Sequence, residues 1–214
     1  MSQGSQNQEF NKQKVKRPLF YKFIDKDYKN ILTVPTISEY ETSLTNSNQD
    51  SAHHFSPVNT INVSGEFSIL ISVFDVASYI LLSLGKMTTM KLHKLLYYTQ
   101  AWNLVWEEKP LFKEKIEAWA NGPVIRELFN FHKGMYEIEA SDITLGNISK
   151  IPESYLENID SVLSFYCNKS AQLLIDQTHF ESPWRNARIG LAPNERGENE
   201  ISLEDMMEYY SSLK

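Results

Sequence analysis

From about Val73 the apolar positions of this chain fall into helical spacing. The clearest run begins at Thr88-Thr89, whose hydroxyls can cap a helix over Met90 to Trp106. On a helical wheel Leu92, Leu95, Leu96, Thr99, Trp102, Asn103 and Trp106 share one face, while Tyr97, Ala101, Leu104 and Val105 make the opposite side apolar as well. A helix apolar on two sides belongs in the middle of a domain, so the pattern places this one at the centre of the core, against a preceding helix over Val73 to Leu84. Lys109-Pro110 ends it, and a short segment Glu117-Ala118-Trp119 leads to Asn121-Gly122-Pro123. Pro suits the first turn of a helix, which predicts a helix from Pro123 to about His132, stopped by Lys133-Gly134.

A polar, extended stretch is expected over Ile138 to Ile148, followed by a helix opened by Pro152 and running to about Asn168. Ser170 then caps Ala171 to Thr178, and two short helices follow, Pro183 to Arg188 and Leu203 to Leu213. Ser202 with Asp205 three residues on has capping-box spacing. The reading is a mainly α, compact multi-helix domain with little sign of a sheet. Residues 1–67 differ: Ser, Asn, Gln and Thr clusters surround two short apolar islands, Leu19 to Ile24 and Ile31 to Val34. That composition reads as a poorly structured leader, with the folded domain over 68–214.

Charge changes the picture by region. Among the 214 residues the formal net charge is −6, yet residues 1–30 are at +4, residues 31–67 at −4 and residues 68–214 at −6. An acidic body argues against nucleic-acid binding as its main task. The basic start, where Phe10, Phe20, Tyr21, Phe23 and Tyr28 interleave with lysines, keeps open an alternative: a nucleic-acid-associated regulator using residues 10–30 as an arm. The apolar stretch Ser68 to Leu84 is short for a membrane span and carries Asp75, so a buried helix is expected, with no membrane partner. A single cysteine, Cys167, and no secretory signal point to a reducing compartment, the cytoplasm.

Candidate chemistry is sparse. Cys167 and His179, twelve residues apart, would be the parts of a nucleophile and base, but Cys167 sits in an apolar pattern that favours an inert buried thiol. His53, His54, His93 and His132 lack metal-ligand spacing, and no cofactor or metal motif is present. No enzyme is expected.

The segment Lys91-Leu92-His93-Lys94-Leu95-Leu96-Tyr97-Tyr98-Thr99-Gln100-Ala101-Trp102 resembles the signature helix of the Panacea domain, also called the SocA-like antitoxin or phage-associated GepA family. The order continues with Pro110-Leu111-Phe112, then Ile116 to Val124, then Thr178-His179 with Ser182-Pro183-Trp184 and Ala187-Arg188, and a closing helix over Glu200 to Tyr210. Within these motifs the matching positions are Lys91, Leu92, Lys94, Leu95, Tyr97, Gln100, Glu117, Trp119, Gly122, Pro123, His179, Pro183 and Trp184. The resemblance covers roughly residues 73–214 and implies a helical antitoxin of a toxin–antitoxin pair, neutralising a cognate toxin by protein–protein contact. One branch of the family resembles a proteolytic adaptor, so the resemblance leaves two modes open, blocking of the toxin or its delivery to a bacterial protease. The stoichiometry is left open. Partner contacts are assigned to Phe20, Tyr21 and Phe23 of the leader and to Lys91 and Lys94, whose alternative role is to solvate the exposed edge of a buried helix. Tyr97, Trp102, Trp106, Trp119 and Trp184 are expected to pack the core.

Overall fold

The computed structural model describes residues 60–61, 67–68 and 71–213. Strands β1 (Thr60–Ile61) and β2 (Phe67–Ser68) pair antiparallel. The leader anchors Phe20, Tyr21 and Phe23 lie outside the described residues, as does all of the basic arm.

Helix α1 (Val73–Leu84) begins with a reciprocal cap: the Ser72 hydroxyl accepts from the Asp75 amide, and the Asp75 carboxylate accepts from the Ser72 amide. Asp75 is therefore a buried capping group, and its second oxygen accepts from the Asn147 amide over 2.7 Å. After β3 (Met87–Thr88) comes α2 (Thr89–Glu107), started by the Thr88 hydroxyl accepting from the Lys91 amide. It stops at Glu108, which turns left-handed at φ 55° ahead of Pro110.

Every residue from Leu92 to Val105 on α2 is buried, which is what two apolar sides require. Its cover comes chiefly from α4 (Glu153–Tyr166) and α7 (Leu203–Ser211), with α1, α5 (Ala171–Phe180) and strand β5 (Gly122–Ile125) completing it. The preceding helix is thus one neighbour among several. A short helix α6 (Ser182–Ala187) links α5 to the loop before α7. No described helix is long and apolar enough to cross a membrane.

The helix expected from Pro123 is not there. Pro123 sits in β5, which forms a hairpin with β4 (Ile116–Trp119), Trp119 facing Gly122 and Ile116 facing Ile125. Helix α3 begins only at Arg126 and runs to Phe131. Pro has no amide to contribute to either structure, so the choice passes to Val124 and Ile125, whose branched side chains suit a pleated strand. The segment 199–201 lies along the other edge of β4, where the Ala118 amide donates to the Asn199 carbonyl and the Ile201 amide to that of Ile116. The expectation of almost no sheet missed this local β unit.

The stretch expected to be extended over 138–148 is folded down instead. Strand β6 (Glu137–Ile138) pairs with β3, and two 3-10 turns, Ala140–Asp142 and Ile148–Lys150, follow. Ile138 and Ile143 are buried there.

Candidate functional site

Most of the motif residues converge on the β4–β5 hairpin. Lys94 is fully buried, and its ammonium donates to the Pro123 carbonyl over 2.9 Å with the Met90 sulfur 3.6 Å away. It is therefore on neither an exposed edge nor an accessible contact surface; a helix packed on all sides has no solvent edge to which its sixth residue can reach. Burial lowers its pKa from 10.5 to about 7. Gly122, opposite this lysine, has φ +93°, and a Cβ there would come 2.7 Å from Lys94 Cε and 3.0 Å from Thr178 Oγ1. Glycine is what lets the hairpin close over the ammonium. Lys91, one turn earlier and half-buried, donates to the Cys167 carbonyl over 2.6 Å, closing the end of α4.

The hairpin is also held by α5 and α6. The His179 ring stacks on Trp184 at 4.1 Å, and the Trp184 indole donates to the Trp119 carbonyl over 3.0 Å. Burial lowers the His179 pKa, Lys94 adds to this, and a hydrogen bond with the Ala120 backbone at the hairpin turn is among the opposing effects. Pro183 is buried in the first turn of α6. Arg188 is buried too, and its guanidinium donates to the carbonyls of Ala118, Ala192, Pro193 and Glu195, tying the loop after α6 to β4.

Toward the surface, Trp119 donates to Glu117, which also takes a two-point ion pair from Arg126 at 2.6 and 2.7 Å. Arg126 and Arg196 both lie over the Trp119 ring. Gln100 acts on the other flank: its carbonyl accepts from the Leu111 and Phe112 amides and its amide donates to the Phe112 carbonyl. Leu92, Leu95 and Tyr97 fill the core.

Three groups escaped the sequence reading. Glu181, at the α5–α6 junction, is buried and accepts from the hydroxyls of Tyr210 (2.7 Å) and Tyr98 (3.3 Å) and from the Gln177 amide (3.3 Å). Burial raises its pKa to about 7 against the lowering effect of those three donors. Tyr98 in turn stacks on Tyr166 at 4.0 Å, and Trp102 donates to the Tyr166 hydroxyl. The second group is the pair His93 and His132, 39 residues apart, with ring nitrogens 2.8 Å apart. Asn103 is the third, donating to the Lys109 carbonyl and accepting from Asn158. One signal could have found His93 and Asn103: a polar residue inside a helix apolar on both sides must be buried and must find a partner.

Cys167 offers its carbonyl to Lys91 while His179 is engaged with Trp184. No group of three or more metal-ligating side chains occurs among the described residues. What the geometry does is fasten a β-hairpin to a central helix with buried polar bonds.

Comparison with curated proteins and with solved structures gave no match. Residues 92–185, from the first buried position of α2 into α6, match the family model described as Antitoxin SocA-like, Panacea domain, the family that the sequence motifs resemble, and this match supports an antitoxin-like role.

Proposed function

We infer that this chain is an antitoxin that neutralises a cognate toxin by direct protein–protein binding in the cytoplasm, without turning over a substrate. The observation that carries the reading is the family match over residues 92–185, in which the motif residues Leu92, Lys94, Leu95, Tyr97, Gln100, Gly122, Pro123 and Pro183 are buried in the framework. Recognition then falls to what the framework presents outward. Within the matched span, the segment after α3 exposes Met135, Tyr136 and Leu145, with Tyr136 79% and Leu145 60% accessible. Large apolar and aromatic side chains left in water on an anchored segment are the kind that become the centre of an interface. Leader residues Phe20, Tyr21 and Phe23 are a second contact in this proposal, ordering on the toxin.

Coexpression with the product of the neighbouring gene tests the reading. Rescue of growth, abolished by Tyr136→Asp in a chain that still folds, is the expected result; failure of the native chain to rescue growth overturns it. The fate of the toxin then separates two modes. Toxin that persists inactive supports blocking, and toxin that disappears in a protease-dependent way supports delivery to a protease.

A further inference from the structure

His93 and His132 form a buried pair that the proposed contact does not use. His93 lies on α2 and His132 caps the C-terminus of α3, and both rings are almost enclosed. The Ile125 amide donates to Nδ1 of His93 over 3.2 Å. A backbone N–H can only donate, so Nδ1 is bare and His93 carries its proton on Nε2. That proton faces Nε2 of His132 at 2.8 Å, which must accept it, leaving the His132 proton on Nδ1. Two rings thus hold two protons in one arrangement, and the pair is neutral.

A third proton has no place in it. On Nδ1 of His93 it would confront the Ile125 N–H, and on Nε2 of His132 it would confront the N–H of His93. Uptake of acid therefore breaks one of the two bonds. The surroundings oppose uptake as well: the Lys94 ammonium neighbours His93 on α2, Phe129 sets its ring edge-to-face against His132, and no carboxylate offsets either ring among the described residues. Burial, Lys94 and His132 push the His93 pKa well below its ordinary value, and burial lowers that of His132. For bases shifted downward, the stabilisation by the neutral pair is complete above the ordinary histidine range near about 6.5 and is lost as pH falls below it.

The two bonds hold both ends of α3. Ile125 is its N-cap, and the His132 carbonyl accepts from the Met135 amide over 2.9 Å at the start of the exposed segment. We propose that the His93–His132 pair is an acid-operated latch, which in its neutral state ties α3 and its junction with Met135 to α2 and on taking up a proton lets that junction go, while the Thr89 amide keeps its hold on the Tyr136 carbonyl. The latch stands whether or not the exposed segment meets a toxin, so its tests need no partner.

The full chain, labelled with ¹⁵N, is read first by long-range ring correlations at about pH 7.5, where tautomers are resolved. His93 should be bare at Nδ1 and His132 bare at Nε2; the opposite tautomer on either ring overturns the proposal. Amide exchange at Ile125 and Met135, corrected for its intrinsic pH dependence, should then rise at least about tenfold over the acid range, below the ordinary histidine value, in which the ring signals themselves report protonation. Protection that persists through ring protonation overturns it. In His132→Gln the carboxamide oxygen can accept from His93 without titrating, and the acid-induced rise at Met135 should disappear; an equal rise in that variant overturns the latch. Should His132→Gln fail to fold, the ring and exchange measurements on the native chain decide alone.

Discussion

Helix α2 carries buried polar chemistry into two regions of the core, and they are built differently. Near its start Lys94 meets the β4–β5 hairpin, where one carbonyl and one thioether serve its ammonium. One turn on, Tyr98 meets Glu181, whose carboxylate is served by two hydroxyls and an amide from α2, α5 and α7. Burial brings both groups to a pKa of about 7, from opposite directions. The contrast shows how a fold accommodates a lone buried charge. At Lys94 the solution is local, requiring a glycine that lets backbone close over the side chain. At Glu181 it is distributed, and the same bonds that solvate the carboxylate fasten three helices together.

The largest effect expected calibrates the comparison against purely apolar burial. Leu95 adjoins Lys94 in sequence and is fully buried, so Leu95→Ala should destabilise the chain by about 2–5 kcal/mol in a urea melt. An unchanged melt would remove α2 from the centre of the core, and with it both polar regions.

Next comes Lys94→Met. A lysine whose folded pKa lies near 7 is charged in both states below that pH, where the penalty of burying its charge is complete; the native chain gains stability as pH rises from about 7 toward 10.5. Methionine has no charge to desolvate, though it leaves the Pro123 carbonyl without its donor. The variant should be more stable than the native chain by about 1–3 kcal/mol near pH 6, with the gain shrinking by about pH 9. Equal stabilities at both pH values would mean that the lysine is better solvated than its surroundings indicate.

Glu181→Gln should give the smallest change and the opposite slope. An acid with a raised folded pKa costs nothing below its unfolded value near 4.5, and stability falls as pH climbs from there to about 7. Gln keeps one carbonyl acceptor for two tyrosine hydroxyls, so part of the relief is lost. A gain of about 1 kcal/mol at pH 8, vanishing near pH 4, is expected in paired melts. A loss of stability at pH 8 would show that the three donors outweigh burial, making the two regions more unequal than the shared pKa suggests.

Much of the fold was legible. The caps at Thr88, Ser170 and Ser202 act as their sequence positions indicate, because a cap is decided by a hydroxyl within three residues of the amide it serves. The central place of α2 followed from its two apolar sides. Gly122-Pro123 was misread because both residues are at home in a turn, a strand end or a helix start, and the deciding partner, β4, pairs through backbone that leaves little trace in side-chain periodicity. Of the site residues, the sequence resemblance marked Lys94, Trp119, Gly122, His179 and Trp184 without indicating what they do. Lys94 could be placed only once the hairpin that covers it was known.

The sequence by itself determined the helical class, the starts of its main helices and the burial of α2, since these depend on spacing within one segment. The tertiary structure alone decided which polar side chains meet: Lys94 with Pro123, Glu181 with Tyr98 and Tyr210, His93 with His132. Each of those bonds joins elements 29 or more residues apart. Their formation depends on how helices and hairpin pack around α2, which local pattern does not encode.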